Sequence, residues 1–216
     1  MSPASRWERL APLTGLVFFV LIAITFALSN DTPDTDSSTA DTVSYWSAHD
    51  SRLIASAIVG TFAVIFLVWF GGSLRRTLLA AEGGDGRLAT IAFAGILVIA
   101  ISGGIGNSLQ FTVADTVGDI PPAATQTISV LSEDLFLPFL SGIALMLFAS
   151  AICALRYGAL PKWLGWVAIV IGIATVTPAG FIGFLGSLVW VLVVSIAIYM
   201  RESRSAAPSA PPSPAS

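Results

Sequence analysis

The chain has 216 residues, of which 55% are apolar and only 11% charged, with a formal net charge of −3. An ordinary soluble domain carries about 25% charged residues, so a water-covered globule is excluded and the apolar exterior is expected to face lipid. Cys153 is the one cysteine, which rules out a disulfide within the chain and reads as a small packed side chain.

Residues 1–9 are short and basic, with Arg6 and Arg9. Residues 10–30 then run about 21 positions without a charge and predict a first span. Ala27-Leu28-Ser29 loosely imitates a cleavage site, but a signal core is about 7–15 residues long, so a retained span is the expectation. Asn30–Ser44 is acidic and polar. Asp31, Asp34 and Asp36 invite comparison with a calcium loop, which requires Gly at its sixth position and Glu at its twelfth. Counted from Asp34 those positions are Thr39 and Tyr45, so the match fails. Ser38 or Thr39 is placed to cap a helix that begins outside the membrane, with Tyr45 and Trp46 at headgroup depth. Residues 53–74 form the second span, about 22 residues or 33 Å, enough for a hydrocarbon core of about 30 Å. Arg75 and Arg76 close it.

Glu82-Gly83-Gly84-Asp85-Gly86 is a flexible turn; a phosphate cradle would need Lys-Ser/Thr after the last Gly and a preceding strand. The third span covers 88–110, and its far half is built of small and amide residues, Ser102 to Gln110. Ser56 and Gly60 on the second span, and Ser102 and Gly106 on the third, have the small-xxx-small spacing that lets helices approach closely. Pro121-Pro122 predicts a short surface helix. Ser132, Glu133 and Asp134 suit a helix N-terminus and lead into the fourth span, 135–155, with a bend expected at Pro138. A tight turn, Arg156–Lys162, follows. Trp163–Met200 is then uncharged over about 38 residues, too long for one ordinary span. Thr177-Pro178-Ala179-Gly180 divides it into spans 161–177 and 179–200, and Ala179, Gly183 and Ser187 line one face of the latter. Residues 201–216 end in a Ser/Ala/Pro tract that cannot bury enough apolar surface to order itself.

The expected fold is therefore an all-α, polytopic bundle of six transmembrane spans. Arg6, Arg9, Arg75, Arg76, Arg87, Arg156, Lys162, Arg201 and Arg204 would share one side, against Arg52 alone on the other. The positive-inside rule then places the N and C termini in the cytoplasm.

Apart from Lys162 at the very start of the span 161–177, no Asp, Glu, Lys, Arg or His falls inside the predicted spans. That argues against proton relays, voltage sensing and paired-histidine haem ligation, and the sole histidine, His49, cannot supply a zinc ligand set. The expectation is a non-enzymatic protein with no cofactor and no metal. A polar group remains near the outer mouth: His49, Asp50 and Arg52 before span two, Asn107 and Gln110 ending span three, Glu133 and Asp134 opening span four. If those spans adjoin, the residues converge on a shallow pocket in which Arg52 pairs with Asp134 or Glu133. The plainer alternative is interfacial groups that reach water and set span depth. Two inverted halves of three spans, a transporter plan, find no support in similarity between Leu10–Gln110 and Leu135–Met200.

Tyr45-Trp46 through Trp69-Phe70, Leu74-Arg75-Arg76, Leu160-Pro161-Lys162-Trp163-Leu164-Gly165-Trp166 and Thr177-Pro178-Ala179-Gly180-Phe181 together resemble a group of uncharacterised bacterial six-span integral membrane proteins. The resemblance covers Leu10 to Met200. It implies a multi-pass protein of the plasma (cell) membrane and carries over no catalytic or binding residue. The first functional expectation is binding of a partner, lipid or apolar small molecule within the bundle; the second is a small permease or transporter subunit; a membrane-embedded enzyme is the weakest. Bilayer lipid is the expected partner, with a homo-oligomer or a membrane partner protein open through the glycine-bearing faces and no nucleic acid.

Overall fold

In oil an uncharged backbone must satisfy its own N–H and C=O groups, so each apolar stretch coils. The structure, a computed structural model, describes residues 8, 10–29, 32–33, 36–134 and 136–205. The side chains of Glu133, Asp134 and Ser205 lie outside that description, as do Arg6, Arg9, Asp31, Asp34 and the tail from 206. Every regular element among the described residues is helical. After a single turn of 3-10 helix at Ala11–Leu13 come α1 (Thr14–Leu28), α2 (Thr39–Glu82), α3 (Arg87–Thr116), α4 (Pro122–Asp134), α5 (Phe136–Tyr157), α6 (Lys162–Thr175) and α7 (Gly180–Ser205).

Five helical stretches are long and apolar enough to cross a membrane: Ala11–Leu28, α2, α3, Pro122–Tyr157 and Gly180–Arg204. The stretch expected as a span over 161–177 forms α6, whose 14 residues reach about 21 Å. Large apolar side chains such as Leu137, Val170 and Ile182 point outward, each more than two-thirds exposed (75%, 67% and 69%). That is the surface of a body made for lipid rather than water.

α2 is 44 residues long, about 66 Å, so its first turns stand beyond the apolar stretch. Ser38 caps it, accepting from the Asp41 N–H at 3.2 Å, and the helix kinks at His49, where φ is −130° and ψ 15°. α4 lies against this extension. Gln126 hydrogen-bonds Thr39 and donates to the Ser37 carbonyl at 3.1 Å. Trp46 is the exception to the interfacial expectation. It is 2% exposed, its indole donates to Ser129 Oγ at 3.3 Å, and Leu53, Val113 and Ala114 share its cluster. Once α4 covers it, the indole N–H has a protein partner and no need of headgroups.

α1 packs on α2, α2 on α3, α3 on α5, α5 on α6, α6 on α7, and α7 returns to α1. The helices thus close a ring. The tightest seam joins α3 and α5 at Gly95 and Gly142: a Cβ on Gly95 would stand 2.6 Å from the Gly142 carbonyl oxygen, and one on Gly142 2.7 Å from that of Gly95.

Toward one end the centre of the ring is filled by side chains. Gly15 on α1 admits the Phe70 ring and Ser195, whose side chains a Cβ there would meet at 2.7 and 2.9 Å. Ser195 Oγ donates to the Pro12 carbonyl at 2.6 Å, and Phe70, Leu74 and Leu78 are fully buried. The basic residues gather at this same end. Arg76 pairs with Glu202 at 2.5 Å, and Arg201 donates to the Ala159 carbonyl at 3.0 Å. Glu82, the last residue of α2, accepts the Leu88 and Ala89 N–H groups at 2.9 Å each, capping α3.

Candidate functional site

The opposite end of the ring is open. A cleft of about 340 Å³ descends between α1, α2, α3, the start of α5 and the start of α7. Each helix contributes one face, read at helical spacing: Phe18, Ile22, Thr25 and Phe26 from α1; Leu53, Gly60, Val64 and Leu67 from α2; Ile99, Ser102, Gly103, Gly106, Asn107 and Gln110 from α3. Along α1 this is about 16 Å, from Phe18 at the floor to Ser29 at the mouth. Leu67 at the floor lies about 13 Å along α2 from Arg76.

The lining is graded. Floor and walls are apolar, and the polar atoms belong to hydroxyls and amides. Ser29, Thr32, Ser132 and Gln110 ring the mouth. Gln110 donates to the Leu53 carbonyl at 3.0 Å, tying α3 to α2. Asn107 sits one turn deeper, against Gly60, where an added Cβ would meet its amide oxygen at 2.7 Å. Glycine at 60 is thus what admits the amide. Among the described lining residues none is charged.

A cluster of phenylalanines walls the cleft where α1, α5 and α7 meet. Phe184 is its centre, 5.6 Å from Phe26, 6.1 Å from Phe136, 5.6 Å from Phe139 and 6.2 Å from Phe181, mostly tilted or edge-on. Sequence reading overlooked this group. Its signal was present: Phe136/Phe139 and Phe181/Phe184 are (i, i+3) pairs on the first turns of two helices, and such pairs share a face.

The anticipated polar pocket separates into two groups. Asn107 and Gln110 enter the cleft, whereas His49, Asp50 and Arg52 do not line it. His49 Nδ1 lies 2.9 Å from the Tyr45 carbonyl at the α2 kink, its ring 4.7 Å from the Tyr45 ring. Asp50 is exposed and accepts the Ser51 hydroxyl at 3.0 Å. Arg52 reaches the Tyr45 hydroxyl at 3.5 Å, and its Nε is buried without a hydrogen-bond partner. The proposed Arg52 pairing with Glu133 or Asp134 falls on side chains outside the described residues.

The small residues also divide. Ser56 turns to α1, donating to the Thr25 carbonyl at 3.1 Å. Ser102 is buried beside the cleft; at Gly106 a Cβ would meet nothing within 4 Å, so the cleft begins at its backbone. On α7, Gly183 packs against the Thr175 backbone nitrogen, 2.5 Å from where its Cβ would be, and Ser187 is buried, donating to Phe184 of its own helix. Ala179 lies in the turn before α7, its N–H 3.3 Å from Thr177 Oγ1.

Among the described residues no group of three or more His, Cys, Asp or Glu is placed to hold a metal ion. The described residues lining the cleft are apolar side chains, glycines, hydroxyls, amides and the Trp46 indole. Compared with family models, curated proteins and solved structures, the chain matches none.

Proposed function

We propose that this is a six-span protein of the cell membrane, both termini cytoplasmic, that binds a lipid or apolar small molecule in the cleft, without catalysing a reaction. The observation that carries the reading is a cleft open at one end of the bundle and lined mainly by apolar side chains, with a few hydroxyls and amides among them. Sites for small molecules are concave and mostly apolar, with a few placed polar groups.

Support for the sixth span comes from how α6 joins its neighbours. It begins beside Ala159 and Leu160, the turn that Arg201 holds at the basic end, and its last residue, Thr175, packs on Gly183 near the start of α7. Trp190 Nε1 donates to the Leu164 carbonyl at 3.1 Å, pinning α7 along it. A span of about 21 Å is short, which thin or locally thinned bilayer accommodates. The Thr177 side chain bonds the Ala174 carbonyl at 2.8 Å and so satisfies part of the turn itself. The orientation rests on Arg75, Arg76, Arg87, Arg156, Lys162, Arg201 and Arg204 sharing one end, which the positive-inside rule assigns to the cytoplasm.

The test is to fill the cleft from its own wall. At Gly106 an added Cβ meets nothing within 4 Å and faces the cleft, so Gly106→Trp is expected to fill it, with circular dichroism and gel filtration checking that the variant folds. Lipids retained after purification in mild detergent are then compared by mass spectrometry. The wild type should hold an apolar-tailed molecule that the variant lacks; identical complements would reject the reading.

A permease is the second reading, favoured by a cleft open at one end while the centre of the ring is filled toward the basic end, the form of an outward-open transporter. Flux through proteoliposomes that Gly106→Trp abolishes would select it over simple binding.

A further inference from the structure

Asn107 is half-buried and holds its amide at the edge of the cleft. Gly60, which it touches, lies about 24 Å along α2 from Arg76, inside a hydrocarbon core of about 30 Å. A polar group at that depth normally finds a protein partner, because hydrocarbon offers none. Its neighbours behave that way. Gln110 bonds the Leu53 carbonyl, Ser56 the Thr25 carbonyl, and Ser108 the Gly104 carbonyl. Asn107 has no hydrogen bond within the described structure, and its amide borders the cleft. The fold spends a glycine at position 60 to admit it, a weak residue in a helix interior. An accessible amide with no protein partner is free to bond a molecule that enters the cleft.

We propose that Asn107 reads the head of an uncharged, single-chain amphiphile whose tail runs down the cleft toward Phe18 and Leu67. The inference rests on the cleft reading above. An amide offers one acceptor and two donors, so it suits hydroxyl, carbonyl or amide heads. A charged head would have to shed water beside lining residues that, among those described, carry no opposite charge. A space of about 340 Å³ lined along about 16 Å of α1 is long enough to take a single alkyl chain.

The experiment compares dodecanol, dodecane, dodecanoate and dodecylammonium as probes, counting adducts on the purified full-length protein by native mass spectrometry over a concentration series. Dodecanol should bind about three- to tenfold more tightly than dodecane, the worth of one neutral hydrogen bond. Asn107→Leu should bring dodecanol and dodecane to about equal affinity. Gly60→Ala should do the same by displacing the amide. Equal binding of dodecanol and dodecane to the wild type overturns the head assignment, as does tighter binding of either charged probe; neither comparison depends on a variant folding. Retention of the preference by a folded Asn107→Leu protein would overturn it too. If no probe binds at all, the cleft reading itself falls.

Discussion

At the scale of single residues, the glycines do three different jobs, and the surrounding atoms tell them apart. Gly95 and Gly142 let two backbones touch; a new Cβ at either meets main-chain atoms that cannot swing aside. Gly60 makes room for one side chain, and Gly104 has open space around it. Gly142→Ala should therefore cost about 1–3 kcal/mol, the usual penalty for overpacking. Gly104→Ala should be neutral or stabilising by up to about 1 kcal/mol through helix propensity. Thermal unfolding of the two variants in one detergent checks the contrast, and equal losses would contradict the α3–α5 seam. The spacing rule pointed to Ser56/Gly60 and Ser102/Gly106 because it weighs only residue size. It is blind to whether the neighbour across the gap is a backbone, an amide or a cleft.

Elements are joined by polar contacts placed where the apolar seams run out. Glu82 belongs to α2 but serves α3, whose first N–H groups have no partner within their own helix. Hydrogen bonds to a charged group are worth about 1.5–3 kcal/mol, and Glu82 is only half-buried, so Glu82→Ala should lose near the lower figure. Glu82→Gln, which keeps an acceptor oxygen, should lose less. Chemical denaturation in micelles measures both, and an unchanged midpoint for Glu82→Ala would show the cap to be idle. At the other end of the bundle, α4 acts as a cover: it takes Trp46 out of the interface and holds it through Ser129. Proline pairs and capping residues announced that helix; nothing in the linear pattern said that it would fold back onto the start of α2.

For the molecule as a whole, the ring of helices is filled through its centre toward the basic end, where a peripheral cavity of about 400 Å³ lies between Thr77, Leu160 and Arg201, and opens as a cleft at the other. The physical cause lies in what each helix carries at each level. Phe70, Leu74 and Leu78 fill the basic half, while small residues from Ser102 to Gly106 leave the other half unfilled. Orientation gives a test at this scale. A tag placed after residue 216 should be shielded in intact cells and labelled only after permeabilisation. Labelling of intact cells would invert the cleft and place its mouth toward the cytoplasm.

Composition and hydrophobic run length alone determined that this chain is helical and built for lipid, because an uncharged stretch of about 20 residues has one stable form in hydrocarbon. Charges, prolines and capping residues act on their immediate neighbours, and Ser38 does cap a helix start, but the helices over the expected 53–74 and 88–110 run on to Glu82 and Thr116. What only the tertiary structure decided is which of the polar residues meet. His49, Asp50 and Arg52 stand close to Asn107 and Gln110 in expected depth, yet only the two amides enter the cleft. Depth follows from position along the chain, whereas facing depends on the rotation of each helix about its own axis. That rotation is set by long-range packing: the Gly95–Gly142 seam, the Ser195–Pro12 hydrogen bond and the phenylalanines around Phe184.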